Sequence, residues 1–163
     1  IVAACKNFGI GFQNNLPWKL KSDLQKFKNL TIGNGNNAVI MGSNTWKSLP
    51  KQPLTNRFNC ILSTSLEVDN DNSKVFNNVD TLIDFTKSNN FDDVWVIGGE
   101  KIYNLFLEKD LVESIYLTKI YEKYICDTYF NYPITFNITN SSRMMSEKDI
   151  IYNYILLEKD QKT

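Results

Sequence analysis

DDVWVIGGEKIYNLFLE, residues 92–108, decides the fold. Its apolar run reads as a buried strand, its glycine pair as a close turn, and the segment after the pair as a helix. NAVIMG (37–42) has the same character, and SNTWKSL after it can start a short helix. RFNCILS (57–63) is a third strand. The polar segment TSLEVDNDNS then leads to a short KVF strand and a helix near 79–88 that turns Leu82, Ile83 and Phe85 inward. Upstream, IVAAC (1–5) is a strand, followed by the glycine-punctuated loop KNFGIGFQNNLPW and an opening helix. Beyond residue 108 the alternation stops, because SIYLTKIYEK, PITFNIT and DIIYNYILLEK are strand-like with no helix between them. The expectation is an α/β fold in one domain, residues 1–163. Its mixed, mostly parallel central sheet has about eight strands and a C-terminal antiparallel hairpin, with helices on both faces.

Composition narrows the chemistry. A chain of 163 residues suits one domain, and 42% apolar with 22% charged residues is ordinary for a globular core. The formal net charge is zero, which gives no reason to expect a nucleic-acid or membrane partner. No apolar run approaches the ~18 residues of a membrane span, and no charged-then-apolar leader opens the chain. Histidine is absent, which removes imidazole bases, Ser-His and Cys-His pairs and most zinc sites; no metal is expected. Acid–base chemistry is left to carboxylate, Lys, Tyr or water. Cys5, Cys60 and Cys126 lack metal-ligand spacing and read as buried reduced thiols.

In open α/β sheets ligands bind beyond the carboxyl ends of the strands, where helix N-termini present N–H groups to anions. Three strand ends carry suitable residues. Gly42 permits a close turn before Ser43, Asn44 and Thr45; Gly98-Gly99 does the same before Lys101; and ILSTS ends in hydroxyls. A glycine after a strand is usually only a turn, but three such ends together favour a nucleotide with more than one phosphate. Neither GxGxxG nor GxxxxGK[ST] is present, which disfavours a Rossmann site and a P-loop ATPase.

Two charged residues stand out. Arg57 is one of only two arginines among eighteen basic residues. It reads either as a solvated strand-end charge or as a fork for a ligand carboxylate, for which guanidinium geometry is well suited. Asp23 lies in NNLPWKLKSDLQKFK (14–28). Stepping ~100° per residue puts it on the face of Leu20, Leu24, Phe27 and Leu30. Lys19 and Lys26 and the helix dipole offer it ordinary partners. A carboxylate within an apolar stripe must otherwise find donors or lose its charge, and a ligand with two adjacent N–H groups would supply them.

The ordered motifs IGFQNNLPW, Asp23 with Phe27, VIMGSNTWKSL, PLTNRFNCILS, VWVIGGEKIY, IYLTKI and DTYF resemble dihydrofolate reductase from Ile1 to about Phe130. The resemblance implies NADPH-dependent reduction of 7,8-dihydrofolate to 5,6,7,8-tetrahydrofolate, by hydride transfer to C6 and water-mediated protonation of N5. It implies catalytic parts for Asp23, Trp18 and Thr118: Asp23 holds the 2-amino group and N3–H of the pterin, Thr118 bonds to it, and Trp18 orders a water. Ile1, Ala3, Phe27, Leu49 and Ile97 resemble residues lining the substrate, and Arg57 the residue binding its glutamate α-carboxylate. Ala3, Ile10, Gly42, Ser43, Asn44, Thr45, Leu62, Ser63, Thr64, Ile97, Gly98, Gly99, Glu100, Lys101, Ile102 and Tyr103 resemble the cofactor-binding set, with a cis peptide at Gly98-Gly99. Gly9 to Leu16 resembles a mobile lid steadied by Asp127.

Two departures bear on the cofactor. Where the family commonly carries Lys or Arg after MG, and often after LS, this chain has Ser43 and Thr64. Lys101, Thr64 and Ser65 are left to meet a 2′-phosphate. The resemblance further implies a cytoplasmic enzyme that binds antifolates, fused to or paired with thymidylate synthase in some relatives. The alternative is a non-catalytic nucleotide- or pterin-binding module of the same fold.

Overall fold

The computed structural model describes residues 1–68 and 70–161, so Asp69 of the polar segment and the last two residues of the expected domain lie outside it. In chain order the elements are β1 (Val2–Ala4), β2 (Gly9–Gly11), α1 (Lys21–Ile32), β3 (Ala38–Gly42), α2 (Ser43–Ser48), β4 (Phe58–Leu62), β5 (Ser73–Phe76), α3 (Val79–Ser88), β6 (Val94–Gly98) and α4 (Glu100–Glu108). There follow β7 (Ser114–Ile120), β8 (Thr128–Tyr129), β9 (Phe136–Ser141), β10 (Met145–Glu147) and β11 (Ile150–Lys159). The α/β alternation and the antiparallel ending stand where the apolar patterning puts them. The short strands β2, β8 and β10 escape it, because two or three residues are too few to show a period. Hydrogen bonding also divides the strands into sheets of five, four and two where one central sheet is expected from the sequence.

The chain folds as two compact units, Ile1–Leu24 with the chain from Tyr103 onward, and Gln25–Ile102. In the first, β1 runs parallel to β7, β11 antiparallel to β7, and β9 and β10 each pair with β11. Because strand side chains alternate, this sheet has two distinct faces. Val2, Ala4, Ile115, Leu117, Ile155 and Leu157 pack into one cluster with Phe130 and Phe136. Cys5, Trp18, Leu20, Ile120 and Tyr152 form the other, with Ala3 and Tyr154 against it. Each fully buried aliphatic side chain contributes ~1.5–3 kcal/mol, so the sheet is anchored from both faces.

In the second unit β5, β4, β3 and β6 lie parallel in that order. Val39, Met41, Trp46 and Ile61 centre one cluster, against which Leu49 and Ile97 pack. Phe58 and Phe76 stack against Phe85 of α3 at 5.1 and 5.2 Å between ring centroids. As expected, α3 turns Leu82 fully inward; its start is capped by Asn78, whose side chain accepts from the Thr81 N–H.

The stripe expected on α1 is corrected by the structure. Leu20 precedes the helix and is buried, whereas Leu24 is 54% exposed and Thr31 fully buried. Helical stepping fails to place Leu20 because that residue is not in the helix.

Candidate active site

Asp23 occupies the first turn of α1 and is half-buried. Trp18 and Leu20, sunk in their cluster, fix where the chain enters the helix. Ser22 does not cap its own helix. The Glu147 carboxylate, arriving from β10, accepts the N–H groups of Lys21 (2.7 Å) and Ser22 (3.0 Å) and the Ser22 hydroxyl (2.6 Å). One residue on, Asp23 Oδ1 accepts a hydrogen bond from Thr118 Oγ1 at 2.6 Å. Thr118 is buried on β7, with Ala3 opposite it on β1 and Tyr154 opposite it on β11. Ala3, Thr118 and Tyr154 thus form a row across three strands.

Tyr154 and Glu147 are absent from the candidates drawn from sequence. Burial, then the Asp23 charge, pushes the Tyr154 phenol up to about 12. The signal for Tyr154 lay in strand pairing, since only the β7–β11 register sets it opposite Thr118. The three bonds from α1 hold the Glu147 carboxyl below its ordinary range.

The remaining candidates of this unit divide by face and loop. Ile1 is half-buried, and its carbonyl accepts from the Tyr103 hydroxyl at 2.8 Å. Burial raises the Tyr103 phenol, whose ring meets Phe130 edge-on at 5.3 Å. Ile10 packs against the same cluster as Tyr103. The Trp18 indole N–H is buried with no acceptor among the described residues. The loop from Gly9 is tied at its start by β2 pairing with β8, and Gln13 N–H donates to Asp127 Oδ2 at 2.9 Å. Cys5 and Cys126, distant in sequence, meet with 4.0 Å between sulfurs, and Cys126 is only half-buried. All three thiols are free, and the expected burial holds for Cys5 and Cys60 but is corrected at Cys126, which lies just before β8 and packs onto Gly9, beside Cys5.

In the second unit the three strand ends come together. Met41 is in register with Gly98, and Gly42 with Leu62, so the carboxyl ends of β6, β3 and β4 stand side by side. The β3–β6 register slips between Ile40 and Met41, which leaves Ile97 opposite no β3 residue, as in a bulge. Gly98 is buried at φ +122°, a conformation reserved for glycine, and the Gly98-Gly99 peptide is cis. A side chain added at Gly99 would stand 3.7 Å from Thr45 Oγ1, so the two turns approach within van der Waals contact. Gly42 is also constrained, since a Cβ there would meet Ile102 at 3.0 Å. Glycine at position 42 therefore reflects the close approach of the Ile102 side chain as well as turn geometry. Ser43, Thr45, Leu62, Ser63 and Glu100 are half-buried there, while Asn44, Thr64 and Lys101 are exposed.

An open cavity beside the end of β4 is lined by Ser63, Thr64, Ser65, Lys74 and Asn77. Lys74 was not a sequence candidate. Its ammonium lies over the rings of Phe76 and Phe85, at 5.4 and 5.1 Å. Phe27 and Leu49 are half-buried, and Leu49 shares its cluster with Ile97.

Arg57 is 6% exposed, which overturns the reading as a solvated strand-end charge. Its Nε donates to the Thr55 carbonyl (2.8 Å) and one terminal nitrogen to Thr31 Oγ1 (3.0 Å). Burial lowers its pKa, and it forms no ion pair among the described residues. A guanidinium so placed is suited to an anion brought by a ligand.

Comparison with known proteins places these features in a family. The dihydrofolate reductase family profile matches residues 1–159. The chain is 35% identical over 175 aligned positions to the dihydrofolate reductase of Drosophila melanogaster, covering 98% of this chain and 96% of that protein. It is 37% identical over 156 positions to the bifunctional dihydrofolate reductase-thymidylate synthase of Paramecium tetraurelia, covering 94% of this chain and 33% of the relative. The corresponding bifunctional protein 2 of Arabidopsis thaliana is 38% identical over 142 positions, 79% of this chain and 25% of its own length. The chain therefore spans a third or less of these two bifunctional relatives and nearly all of the insect one.

Proposed function

This chain belongs to the dihydrofolate reductase family, as an oxidoreductase that reduces dihydrofolate, and we propose that NADPH is its hydride donor and Asp23 the carboxylate that acts on the pterin. The observation that carries the reading is the 2.6 Å hydrogen bond from Thr118 Oγ1 to Asp23 Oδ1, on a half-buried carboxylate in the first turn of a helix. A carboxylate accepts at about four lone-pair positions. Thr118 orients one oxygen, so the group is pre-set to receive the paired N–H donors of a pterin edge.

Asp23 then has two tasks. It holds the 2-amino group and N3–H, and its negative charge favours a cation at N5 as the proton arrives. Among the candidate residues no side chain is assigned to N5, so a water delivers that proton. The buried, acceptor-less indole N–H of Trp18 suits a residue that orders such a water. Ile1, Ala3, Phe27, Leu49 and Ile97 line the substrate, and Arg57 takes the glutamate α-carboxylate. The loop Gly9 to Leu16, held by Asp127, excludes bulk water during transfer.

The residues at the three strand ends suit a dinucleotide. Gly42 to Thr45 and Gly98 to Ile102 provide adjoining glycine turns where the parallel strands end. Ser63 and Thr64 offer hydroxyls beside Leu62, and Ala3, Ile10 and Tyr103 complete the set. Lys74 joins Lys101, Thr64 and Ser65 as a group able to meet a 2′-phosphate. When bound, the cofactor supplies a hydride from C4 of its nicotinamide to C6 of the pterin.

The same reading takes residues 1–163 as one reductase domain, with antifolates competing for the pterin place. Thymidylate synthase is its partner, fused or separate, as the two bifunctional relatives suggest. A cytoplasmic setting accords with three unpaired cysteines.

The test is turnover of Asp23→Asn, read as loss of reduced-nicotinamide absorbance on adding dihydrofolate, with methotrexate as control. The rate should fall ~10²-fold or more at neutral pH and recover in part in acid, where solvent protonates the substrate. An equal loss at every pH would remove the electrostatic role.

A further inference from the structure

Three consecutive residues of α1 are pinned to three strands of one sheet. Lys21 and Ser22 give their N–H groups to Glu147 on β10. The Ser22 hydroxyl also lies 2.7 Å from the Tyr152 hydroxyl on β11. Asp23 accepts from Thr118 on β7. Since β11 lies between β7 and β10, the contacts follow in order across the sheet.

We propose that Glu147 is a positioning residue for dihydrofolate reduction: its carboxylate fixes the start of α1 and thereby the place of the Asp23 carboxylate. The inference rests on the part given to Asp23 above.

A helix start leaves N–H groups without intrahelical partners, and an anion there also favours the helix dipole. A side-chain cap normally comes from the residue just before the helix. In this protein it comes from 125 residues away along the chain, so the cap ties the helix to the sheet as well as ending it. Charge-assisted bonds of 2.6 to 3.0 Å are the stronger kind. Without them the first turn would lose three of its ties to the sheet, leaving among others the Ser22–Tyr152 and Asp23–Thr118 contacts, and fraying there would move Asp23 directly.

The groups around Glu147 are defined on each side. From α1 come the two N–H groups and the Ser22 hydroxyl; from β11, Tyr152 near Ser22 and Tyr154, which feels both Glu147 and Asp23; from its own hairpin, Lys148.

The experiment compares Glu147→Ala and Glu147→Gln in wild-type and Asp23→Asn backgrounds, using NADPH and dihydrofolate. Glu147→Ala should lower kcat about tenfold and raise KM for dihydrofolate, since a ~1 Å displacement of a positioned group can cost ~10²-fold. The NADPH dissociation constant should not change. Glu147→Gln, which keeps an acceptor oxygen, should recover most of the rate. In the Asp23→Asn background Glu147→Ala should cost nothing further, because residues acting as a unit are not additive.

Equal fold-losses in both backgrounds would make Glu147 merely structural and overturn the proposal. So would a Glu147→Gln rate as low as that of Glu147→Ala. If the alanine variant does not fold, the glutamine variant carries the cycle, and a further loss in the Asp23→Asn background overturns it. Undiminished turnover in Asp23→Asn would instead bring down the function proposed above, whereas a damaged Asp23→Asn beside a fully active Glu147→Ala defeats this inference alone.

Discussion

Replacing Arg57 by Leu separates a ligand-binding role from a structural one. The guanidinium is 6% exposed and makes two hydrogen bonds, to the Thr55 carbonyl and to Thr31 Oγ1. Bonds from a charged donor are worth ~1.5–3 kcal/mol each. Against that stands the cost of burying a charge, visible in the lowered pKa, and exchange for an apolar residue is often close to neutral. Thr31 keeps its own bond to the Phe27 carbonyl at 2.7 Å, so the helix end is not orphaned by the change. The net effect on stability should therefore stay within ~1–2 kcal/mol. Loss of a buried partner for a ligand carboxylate costs more, ~2–5 kcal/mol. At ~1.4 kcal/mol per decade this is a rise in Kd of roughly 30- to 4,000-fold. Tryptophan fluorescence titration gives the Kd for dihydrofolate and, in parallel, for a bare pteridine without the glutamate tail. The tailed ligand should weaken by that factor and the bare one by less than about threefold, within surface-substitution scatter. Equal weakening of both would show that Arg57 only holds up the fold, and the carboxylate-binding role would be refuted.

Two further outcomes follow from charge. If Lys74 supplies the positive charge absent at Ser43 and Thr64, Lys74→Ala should lower kcat/KM for NADPH by ~10-fold, the scale of a 1–2 kcal/mol charged contact, and leave NADH unaffected. Equal loss with both cofactors, or the same change from Lys101→Ala alone, would move the role away from Lys74. The second concerns acid stability. The Glu147 carboxyl is held below its unfolded value by the α1 bonds, so its contribution is present above the ordinary glutamate range and is lost as pH falls through the lower folded value. The Tm gap between wild type and Glu147→Gln should be constant from neutral pH to about 5 and close below about 4, around the ~4.3 of free glutamate. A gap that widens in acid would contradict the assigned direction.

Much of the site was legible because its signals are local. Glycine after an apolar run marks a strand end wherever that strand goes, and Gly42 and Gly98-Gly99 were found in this way. Asp23 was conspicuous as an acid among apolar residues, although Leu24, one of the residues that made the stripe, proved 54% exposed. Arg57 was noticed for its rarity, but burial alone chose between its two readings. Thr118 was carried by family resemblance, since a threonine within a strand has no distinguishing local signal. Lys74, Tyr154 and Glu147 had none either. Each acquires its meaning from a neighbour on another strand or helix: the ring of Phe85 on α3, the β7–β11 register, and the start of α1.

Taken alone, the sequence determined the longer strands and helices, that parallel crossovers give way to an antiparallel end, and that acid–base chemistry must proceed without imidazole. These are properties of periodicity and composition, which a chain carries before it folds. Tertiary structure decided that Asp23 meets Thr118, that a glutamate 125 residues from Ser22 starts the helix, and that Cys5 and Cys126 are neighbours. Such contacts depend on register and pairing between strands distant in the chain, and a hydrogen bond across that distance leaves no periodic trace in the order of residues.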